Sequence, residues 1–201
     1  MNKKILYSVV SLVFILFVVV VSFVCFGNKK SSDKVKEEVP VKVEKPFITE
    51  YSIEEVSDEE VKEIFLNNHA MALGDSMGEG LDAYKVLYSE SVVYTRGRRI
   101  DNMVKDMPKV IEYNPKYLFL SYGANDIIKW NGDVEGFINA YKNSISYIKE
   151  VLPDTIIIIN SVLPVSEKAI NNKSAFTYQS EFNSKLMELC KSMEIDFLEN
   201  S

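Results

Sequence analysis

Two hydrophobic periods alternate along most of this chain. From about residue 53 onward, short runs of β-branched and aromatic residues are separated by longer amphipathic segments. Strands connected by helical segments are typical of βαβ units, in which the strands are parallel. We therefore expect a flavodoxin-like three-layer α/β/α fold with a five-stranded parallel sheet. The short runs predict strands at residues 70–74, 91–95, 116–121, 155–160 and 194–198.

The segments between the predicted strands carry apolar residues at helical spacing, and we expect these stripes to face the core. They comprise Ile100, Met103, Val104, Met107 and Ile111, then Val134, Phe137, Ile138, Tyr141, Ile145 and Ile148, and then Phe182, Leu186, Leu189 and Met193. A further short helix precedes the first strand, because Ser57 followed three residues later by Glu60 forms a capping-box pattern. Folded structure is therefore expected to begin near residues 53 to 57.

The first 27 residues follow a third pattern, which is apolar throughout. Residues 5–27 contain no charged side chain, and a helix of that length would be about 34 Å long, enough to cross a bilayer. We interpret residues 1–27 as a signal-anchor, a retained transmembrane helix that precedes the domain. The alternative is a cleaved signal peptide, whose apolar region usually spans only about 7 to 15 residues. We expect the remainder of the chain to lie outside the cytoplasm, anchored to the cell membrane by a single pass.

Charge and composition divide the rest of the chain into two parts. Residues 28–52 mix lysine and glutamate with few large apolar residues, which predicts a disordered charged linker. Residues 53–201 form the predicted α/β domain. The formal net charge of −6 gives no reason to expect nucleic acid as a partner. The only cysteines, Cys25 and Cys190, provide no disulfide framework.

Residues that could take part in catalysis follow the first three predicted strands. The sequences that end them are Gly74-Asp75-Ser76, Thr95-Arg96-Gly97 and Gly123-Ala124-Asn125-Asp126. In open parallel sheets, ligands bind outside the carboxyl ends of the strands, so these three stretches should converge.

Ser76 is the candidate nucleophile at the carboxyl edge of the predicted sheet. Acyl transfer needs a nucleophile, a base, and donors aimed at the developing oxyanion. A serine at the start of a helix would place its hydroxyl at the sheet edge and its own N–H at the positive end of the helix dipole. Gly97 could present a backbone N–H to the same point, and Asn125 could add its side-chain amide. These three residues therefore predict a nucleophile within an oxyanion hole.

At these positions the sequence resembles the SGNH, or GDSL, hydrolase family, also known as GDSL-like lipases or acylhydrolases. The family blocks G-D-S, a glycine, and G-x-N-D are matched by Gly74-Asp75-Ser76, Gly97 and Gly123-Ala124-Asn125-Asp126, within residues 70–201. The resemblance implies that Ser76 is the nucleophile and that Gly97 and Asn125 form the oxyanion hole. It also implies ester or acyl substrates, with no cofactor and no metal.

The final family block, D-x-x-H, is absent. The only histidine is His69, seven residues before Ser76, and a strand would hold it roughly 20 Å from the hydroxyl. His69 is therefore expected to enter the first strand as an ordinary polar residue.

One explanation for the missing D-x-x-H block is a chain truncated before the catalytic loop. We favour it because a fifth strand without a following helix leaves an apolar sheet face uncovered. The other is a natural non-catalytic relative.

Two further features adjoin the predicted site and leave alternatives open. Arg96, Arg98 and Arg99 surround Gly97, and they either favour a substrate carrying carboxylate or phosphate or simply face solvent. Trp130, the sole tryptophan, is either a platform for sugar stacking or an ordinary packed residue.

The patterns and the family resemblance together predict a membrane-anchored serine esterase that acts on carboxylic esters, with its catalytic His and Asp segment absent from this chain. Its location outside the cytoplasm points to small-molecule or glycan esters of the cell envelope, such as O-acetylated polysaccharide. The alternative function is a non-catalytic binding or scaffolding module with the same fold.

Overall fold

The structure, a computed structural model, describes residues 56–200. The predicted signal-anchor at 1–27 and the linker at 28–52 lie outside the described residues. Among residues 56–200, no helix combines the length and the apolar content needed to span a membrane. The helices are α1 Asp58–Asn67, α2 Ser76–Ala83, α3 Met107–Tyr113, α4 Ala124–Trp130, α5 Val134–Val151, α6 Glu167–Asn172 and α7 Gln179–Ser192. The strands are β1 Ala70–Gly74, β2 Val92–Tyr94, β3 Tyr117–Ser121, β4 Ile156–Asn160 and β5 Asp196–Leu198. Short 3₁₀ segments cover Ser89–Ser91, Ile100–Lys105 and Ser174–Tyr178.

The five strands form one parallel sheet in the order β2-β1-β3-β4-β5. This is the flavodoxin-like order, so the predicted five-stranded parallel sheet is confirmed. Each predicted strand exists, with ends that differ by no more than two residues. β5 starts two residues later than predicted because Glu194, the second residue after α7, takes a left-handed conformation with φ 55°.

Both faces of the sheet are covered, which gives the expected three layers. In β3, Leu118 and Leu120 join the apolar cluster beneath α5 and α7. Tyr117 and Phe119 join a second cluster with the residues of α1 and α2 on the opposite face. A strand between two apolar layers is buried on both sides, and all five residues of β1 are buried accordingly.

The helical stripes are confirmed in α5 and α7, where Phe137, Tyr141 and Phe182 are fully buried. The first stripe is partly wrong, because Val104 and Ile111 are 49% and 41% exposed. The stripe assumed one continuous α-helix. The segment instead contains a 3₁₀ helix, a non-helical residue at Asn102, and then α3 as a separate helix, so the phase of the buried positions changes.

The amino-terminal helix α1 forms as its capping box predicts. The Ser57 hydroxyl accepts a hydrogen bond from the Glu60 N–H over 3.3 Å, and the Glu60 carboxylate accepts one from the Ser57 N–H over 2.9 Å. α1 then packs Phe65 against Phe119 of β3, with ring centroids 5.3 Å apart. On the same face of the sheet, Ile156 and Leu198 are only half-buried, so the layer above β4 and β5 is thinner.

Candidate active site

Ser76 is the first residue of α2 and directly follows the turn that ends β1. Asp75 caps the helix, because its carboxylate accepts a hydrogen bond from the Met77 N–H over 2.9 Å. Ser76 itself is exposed. Within residues 56–200, neither its hydroxyl nor its backbone N–H has a hydrogen-bond partner. A buried strand and a capped helix thus hold an exposed serine at the carboxyl edge of the sheet.

Gly97 lies in the loop after β2, at the same edge. Its φ of 71° lies in the left-handed region, which a glycine adopts without the strain that a side chain would bring. The loop is tied to β1 by a hydrogen bond from the Thr95 N–H to the Gly74 carbonyl, 3.3 Å long. The Gly97 N–H makes no hydrogen bond within the described part of the chain. It is therefore a second backbone donor available at this edge.

Asn125 joins these two loops. Its side-chain nitrogen donates to the Asp75 carboxylate over 2.9 Å and to the Arg98 carbonyl over 3.3 Å. Asp75 precedes Ser76 and Arg98 follows Gly97, so the structure brings the three predicted site residues together. The amide nitrogen already serves two acceptors, however, and must share or release one of them to donate to an oxyanion. The longer bond to the Arg98 carbonyl is the weaker of the two.

The position of Asn125 depends on Gly123, the N-cap residue that directly precedes α4. Gly123 has a φ of 148°, and a Cβ there would lie 2.1 Å from a methyl carbon of Val162. Only glycine permits this approach of the β3–α4 turn to the segment after β4.

Two aspartates support the loops of the site. Burial raises the pKa of Asp75, against the lowering effect of hydrogen bonds from the Met77 N–H and the Asn125 amide. Asp126 is fully buried and accepts a hydrogen bond from the Ile100 N–H over 3.0 Å. Its other oxygen has no hydrogen-bond partner among residues 56–200, and burial raises the pKa of Asp126 to about 7. Both carboxyl groups hold loops of the site together through these hydrogen bonds.

The three arginines around Gly97 are each paired with a carboxylate. Arg96 contacts Glu79, with nitrogen–oxygen distances of 2.6 and 2.5 Å. Arg98 contacts Asp106 at 2.6 and 2.8 Å. Arg99 contacts Asp101 at 3.1 and 3.4 Å. The solvent alternative describes Arg96, whose side chain is 77% exposed, whereas Arg98 and Arg99 are 15% and 32% exposed and bind the protein's own acids.

Trp130 is a packed residue. The Lys129 ammonium lies 4.1 Å from its ring centroid, and a Cβ at Gly136 would lie 2.5 Å from a ring carbon. Trp130 lines a cavity of about 460 Å³ between the 3₁₀ segment Ile100–Lys105 and α5. The lining of that cavity does not include Ser76, Gly97 or Asn125. The contacts therefore favour the packing interpretation over a stacking platform beside Ser76.

His69 lies at the opposite end of β1 from Ser76, as predicted. Its ring stacks on Tyr113 with centroids 4.4 Å apart, and its Nε2 forms a 2.8 Å hydrogen bond with the Tyr113 carbonyl. The chain contains no other histidine. No histidine in these 201 residues can therefore accept the Ser76 proton.

Asp106 is a site-supporting residue that the sequence did not indicate. Its carboxylate contacts both Thr95 and Arg98, which flank the Gly97 loop. No local motif marks it, because the contact depends on how the chain folds between β2 and α3.

Comparisons with known proteins agree with this architecture. No family model and no curated protein matches the sequence. Among solved structures, the chain resembles a GDSL-like lipase from Bacteroides thetaiotaomicron VPI-5482, with 17% identity, a TM-score of 0.53, and coverage of 67% of this chain and 69% of that one. A protein assigned as an acylhydrolase from Bacteroides fragilis NCTC 9343 gives 16% identity, a TM-score of 0.53, and coverage of 66% and 67%.

A protein of the G-D-S-L family assigned as lipolytic, from Desulfitobacterium hafniense DCB-2, gives 18% identity, a TM-score of 0.51, and coverage of 66% and 77%. Identities this low establish a shared architecture and leave the chemistry to the site itself. The chain therefore has the α/β fold of the GDSL-like lipases and acylhydrolases.

Proposed function

We propose that this chain is a serine esterase that hydrolyses carboxylic esters, with Ser76 as the nucleophile. One observation carries the proposal. Asn125 joins the turn that carries Ser76, an exposed residue at the start of α2, to the Gly97 loop, and within residues 56–200 the backbone N–H groups of Ser76 and Gly97 have no hydrogen-bond partner. Preorganised donors next to a nucleophile are what acyl transfer requires.

The reaction follows from these groups. The Ser76 oxygen attacks the ester carbonyl carbon, and its proton passes to a base. The carbonyl oxygen becomes an oxyanion that accepts hydrogen bonds from the Ser76 and Gly97 N–H groups, and from Asn125 once its amide releases the Arg98 carbonyl. The alcohol leaves with the proton held by the base, which gives an acyl-serine. Water then attacks the acyl-serine, releases the carboxylic acid, and restores the hydroxyl.

We place the base outside these 201 residues. His69 lies at the wrong end of β1, and Asp126 is fully buried with one oxygen engaged by the Ile100 N–H. An ordinary exposed carboxylate is too weak a base to replace imidazole near neutral pH. The proposal therefore requires an imidazole group from a further segment of the protein or from another molecule.

The finer parts of the proposal rest on the sequence pattern. The apolar run at residues 5–27 supports a membrane anchor, and an anchored domain outside the cytoplasm would meet esters of the cell envelope, such as O-acetylated glycans. The second candidate function is a non-catalytic binding or scaffolding module. The observation that favours it is the lack of a histidine near Ser76.

Chemical rescue tests the proposal. The full chain, purified in mild detergent, is assayed for p-nitrophenyl acetate hydrolysis with and without added imidazole, beside Ser76→Ala. The reaction of imidazole with the ester in solution is present in both samples, so the difference between them reports Ser76. We expect imidazole-dependent turnover in the wild-type chain that Ser76→Ala lacks, and labelling of Ser76 by a fluorophosphonate in imidazole.

Ser146→Ala provides the matched control, because Ser146 is an exposed serine on α5 whose hydroxyl bonds only the Lys142 carbonyl. It should retain the full imidazole-dependent rate. Equal rates for wild type and Ser76→Ala at every imidazole concentration would overturn the esterase proposal and favour the binding module.

A further inference from the structure

Asp106 lies between the 3₁₀ segment Ile100–Lys105 and α3, nine residues beyond Gly97. One carboxylate oxygen accepts hydrogen bonds from the Thr95 hydroxyl at 2.9 Å and from Nη2 of Arg98 at 2.8 Å. The other oxygen accepts one from Nε of Arg98 at 2.6 Å. A single carboxylate thus holds residues on both sides of Gly97.

Two more hydrogen bonds close this arrangement. Nη2 of Arg98 donates to the Thr95 hydroxyl over 3.3 Å, and the Arg98 N–H donates to the Thr95 carbonyl over 3.0 Å. Thr95 and Arg98 therefore bond each other as well as Asp106, and Gly97 lies in the turn between them. We refer to Thr95, Arg98 and Asp106 as the loop clamp.

Burial makes the loop clamp stronger than a surface ion pair. The side chains of Arg98 and Asp106 are only 15% and 8% exposed, and their contact is bidentate. The neighbouring pair of Arg96 and Glu79 is open to solvent, with the Arg96 side chain 77% exposed. Exposed pairs contribute little. The structure of the 95–98 turn therefore depends on Asp106 more than on Glu79.

Gly97 has little else to fix the direction of its N–H. The N–H makes no hydrogen bond within residues 56–200, and nothing lies within 4 Å of the point where a Cβ would be. A glycine at φ 71° with open space around it can move to other backbone conformations unless its neighbours are held. We propose that Asp106 is a positioning residue that aims the Gly97 N–H at the oxyanion formed on Ser76 attack. The inference rests on the proposed esterase function.

The test compares Asp106→Asn with Asp101→Asn in the imidazole-rescued assay of the full chain. Asparagine at 106 removes the charge that pairs with Arg98 while keeping the shape. Asp101 is the matched control, because it is also an aspartate paired with an arginine of this loop, Arg99, and with Lys129, but it contacts neither Thr95 nor Arg98. Rates are measured at a temperature well below the melting temperature of each variant.

Loss of an oxyanion donor typically lowers kcat by about 10²- to 10³-fold. A donor that is present but mispositioned should lower kcat by a smaller factor. We therefore expect Asp106→Asn to lower the imidazole-dependent kcat by roughly 10- to 100-fold. KM should stay within about twofold of the wild-type value. Amide hydrogen exchange at Arg98, whose N–H bonds the Thr95 carbonyl, should become faster in the same variant. Asp101→Asn should change neither quantity.

A second variant keeps the proposal testable if Asp106→Asn does not fold. Thr95→Val removes the hydroxyl that donates to Asp106 and accepts from Arg98 but leaves the Arg98–Asp106 pair, so it should lower kcat in the same direction by a smaller factor. If both clamp variants fold and react as fast as Asp101→Asn, the positioning role is overturned while the esterase function remains. If the wild-type chain shows no reaction that depends on Ser76, the esterase function is overturned, and the role of Asp106 in an oxyanion hole with it.

Discussion

The side-chain amide of Asn125 donates a 2.9 Å hydrogen bond to the carboxylate of Asp75, 50 residues earlier in the chain. This bond connects the start of α4 to the turn that carries Ser76. The same amide reaches the Arg98 carbonyl of the Gly97 loop. One side chain therefore controls the relative position of the three loops at the carboxyl edge of the sheet.

We expect Asn125→Ala to lower the free energy of unfolding by about 1 to 3 kcal/mol, because the buried Asp75 carboxyl loses a donor that nothing replaces. Urea unfolding at pH 7 measures the change. Asn139→Ala, on the exposed face of α5, is the control and should change stability by less than about 0.5 kcal/mol. Equal effects of the two substitutions would show that the Asn125 bonds contribute little to the fold.

The unpartnered oxygen of Asp126 predicts a pH dependence of stability. Burial raises the pKa of Asp126 to about 7 from its ordinary value of 3.8, so the folded protein binds an additional proton between these values. Stability from this group is therefore fully present below about pH 4 and is lost as pH rises to about 7. The loss is on the order of 4 kcal/mol at most, at 1.36 kcal/mol for each pH unit.

Asp126→Asn tests this assignment, because asparagine retains an acceptor for the Ile100 N–H but does not titrate. Unfolding free energies measured from pH 4 to pH 8 should fall for the wild type and fall less steeply for the variant. Parallel pH profiles for the two proteins would mean that another group causes the dependence.

Alanine at two glycines of the site should have very different effects. Gly97 and Gly123 both have positive φ, but only Gly123 has a side chain, Val162, where a Cβ would go. Gly97→Ala should cost about 1 kcal/mol, from backbone strain alone. Gly123→Ala should cost about 3 kcal/mol, because a Cβ 2.1 Å from a Val162 methyl carbon and 3.1 Å from the Val162 Cβ must displace that side chain. Thermal unfolding of the two variants decides whether the Val162 contact matters.

His69→Ala should leave any Ser76-dependent reaction unchanged, because His69 lies at the other end of β1. It should lower stability by about 1 kcal/mol through loss of the hydrogen bond and the ring stacking with Tyr113. The imidazole-rescued rate and the melting temperature of the variant together test whether His69 affects stability alone. A rate lost at full stability would mean that His69 acts on the chemistry after all.

Local patterns predicted what local interactions determine. The capping box of Ser57 and Glu60 forms as expected, and the run at residues 156–160 is a buried strand. Val104 was mispredicted because a helical stripe cannot reveal a break such as the one at Asn102, which depends on how the chain returns from β2. The strand ends predicted that Ser76, Gly97 and Asn125 would converge, since parallel strands share an edge.

The sequence patterns could not predict the side-chain contacts that hold the site in place. The two oxygens of Asp106 face Thr95 and Arg98 only after the 3₁₀ segment has formed, and nothing in the intervening sequence specifies that geometry. The pairing of Arg96 with Glu79 likewise joins the Gly97 loop to α2, across a turn whose path the sequence does not define. These contacts are long-range side-chain pairs, which hydrophobic periodicity along the sequence does not predict.

The pairing of three arginines with three acids has a consequence for how molecules approach Ser76. Each guanidinium near Gly97 has a carboxylate within 3.1 Å, so the two charges largely cancel at distances beyond the pair. A surface without a net local charge does not steer ions towards itself, and dissolved salt has little to screen there. The rate of encounter with a negatively charged ester should therefore gain little from these three arginines, and added salt should change that contribution little.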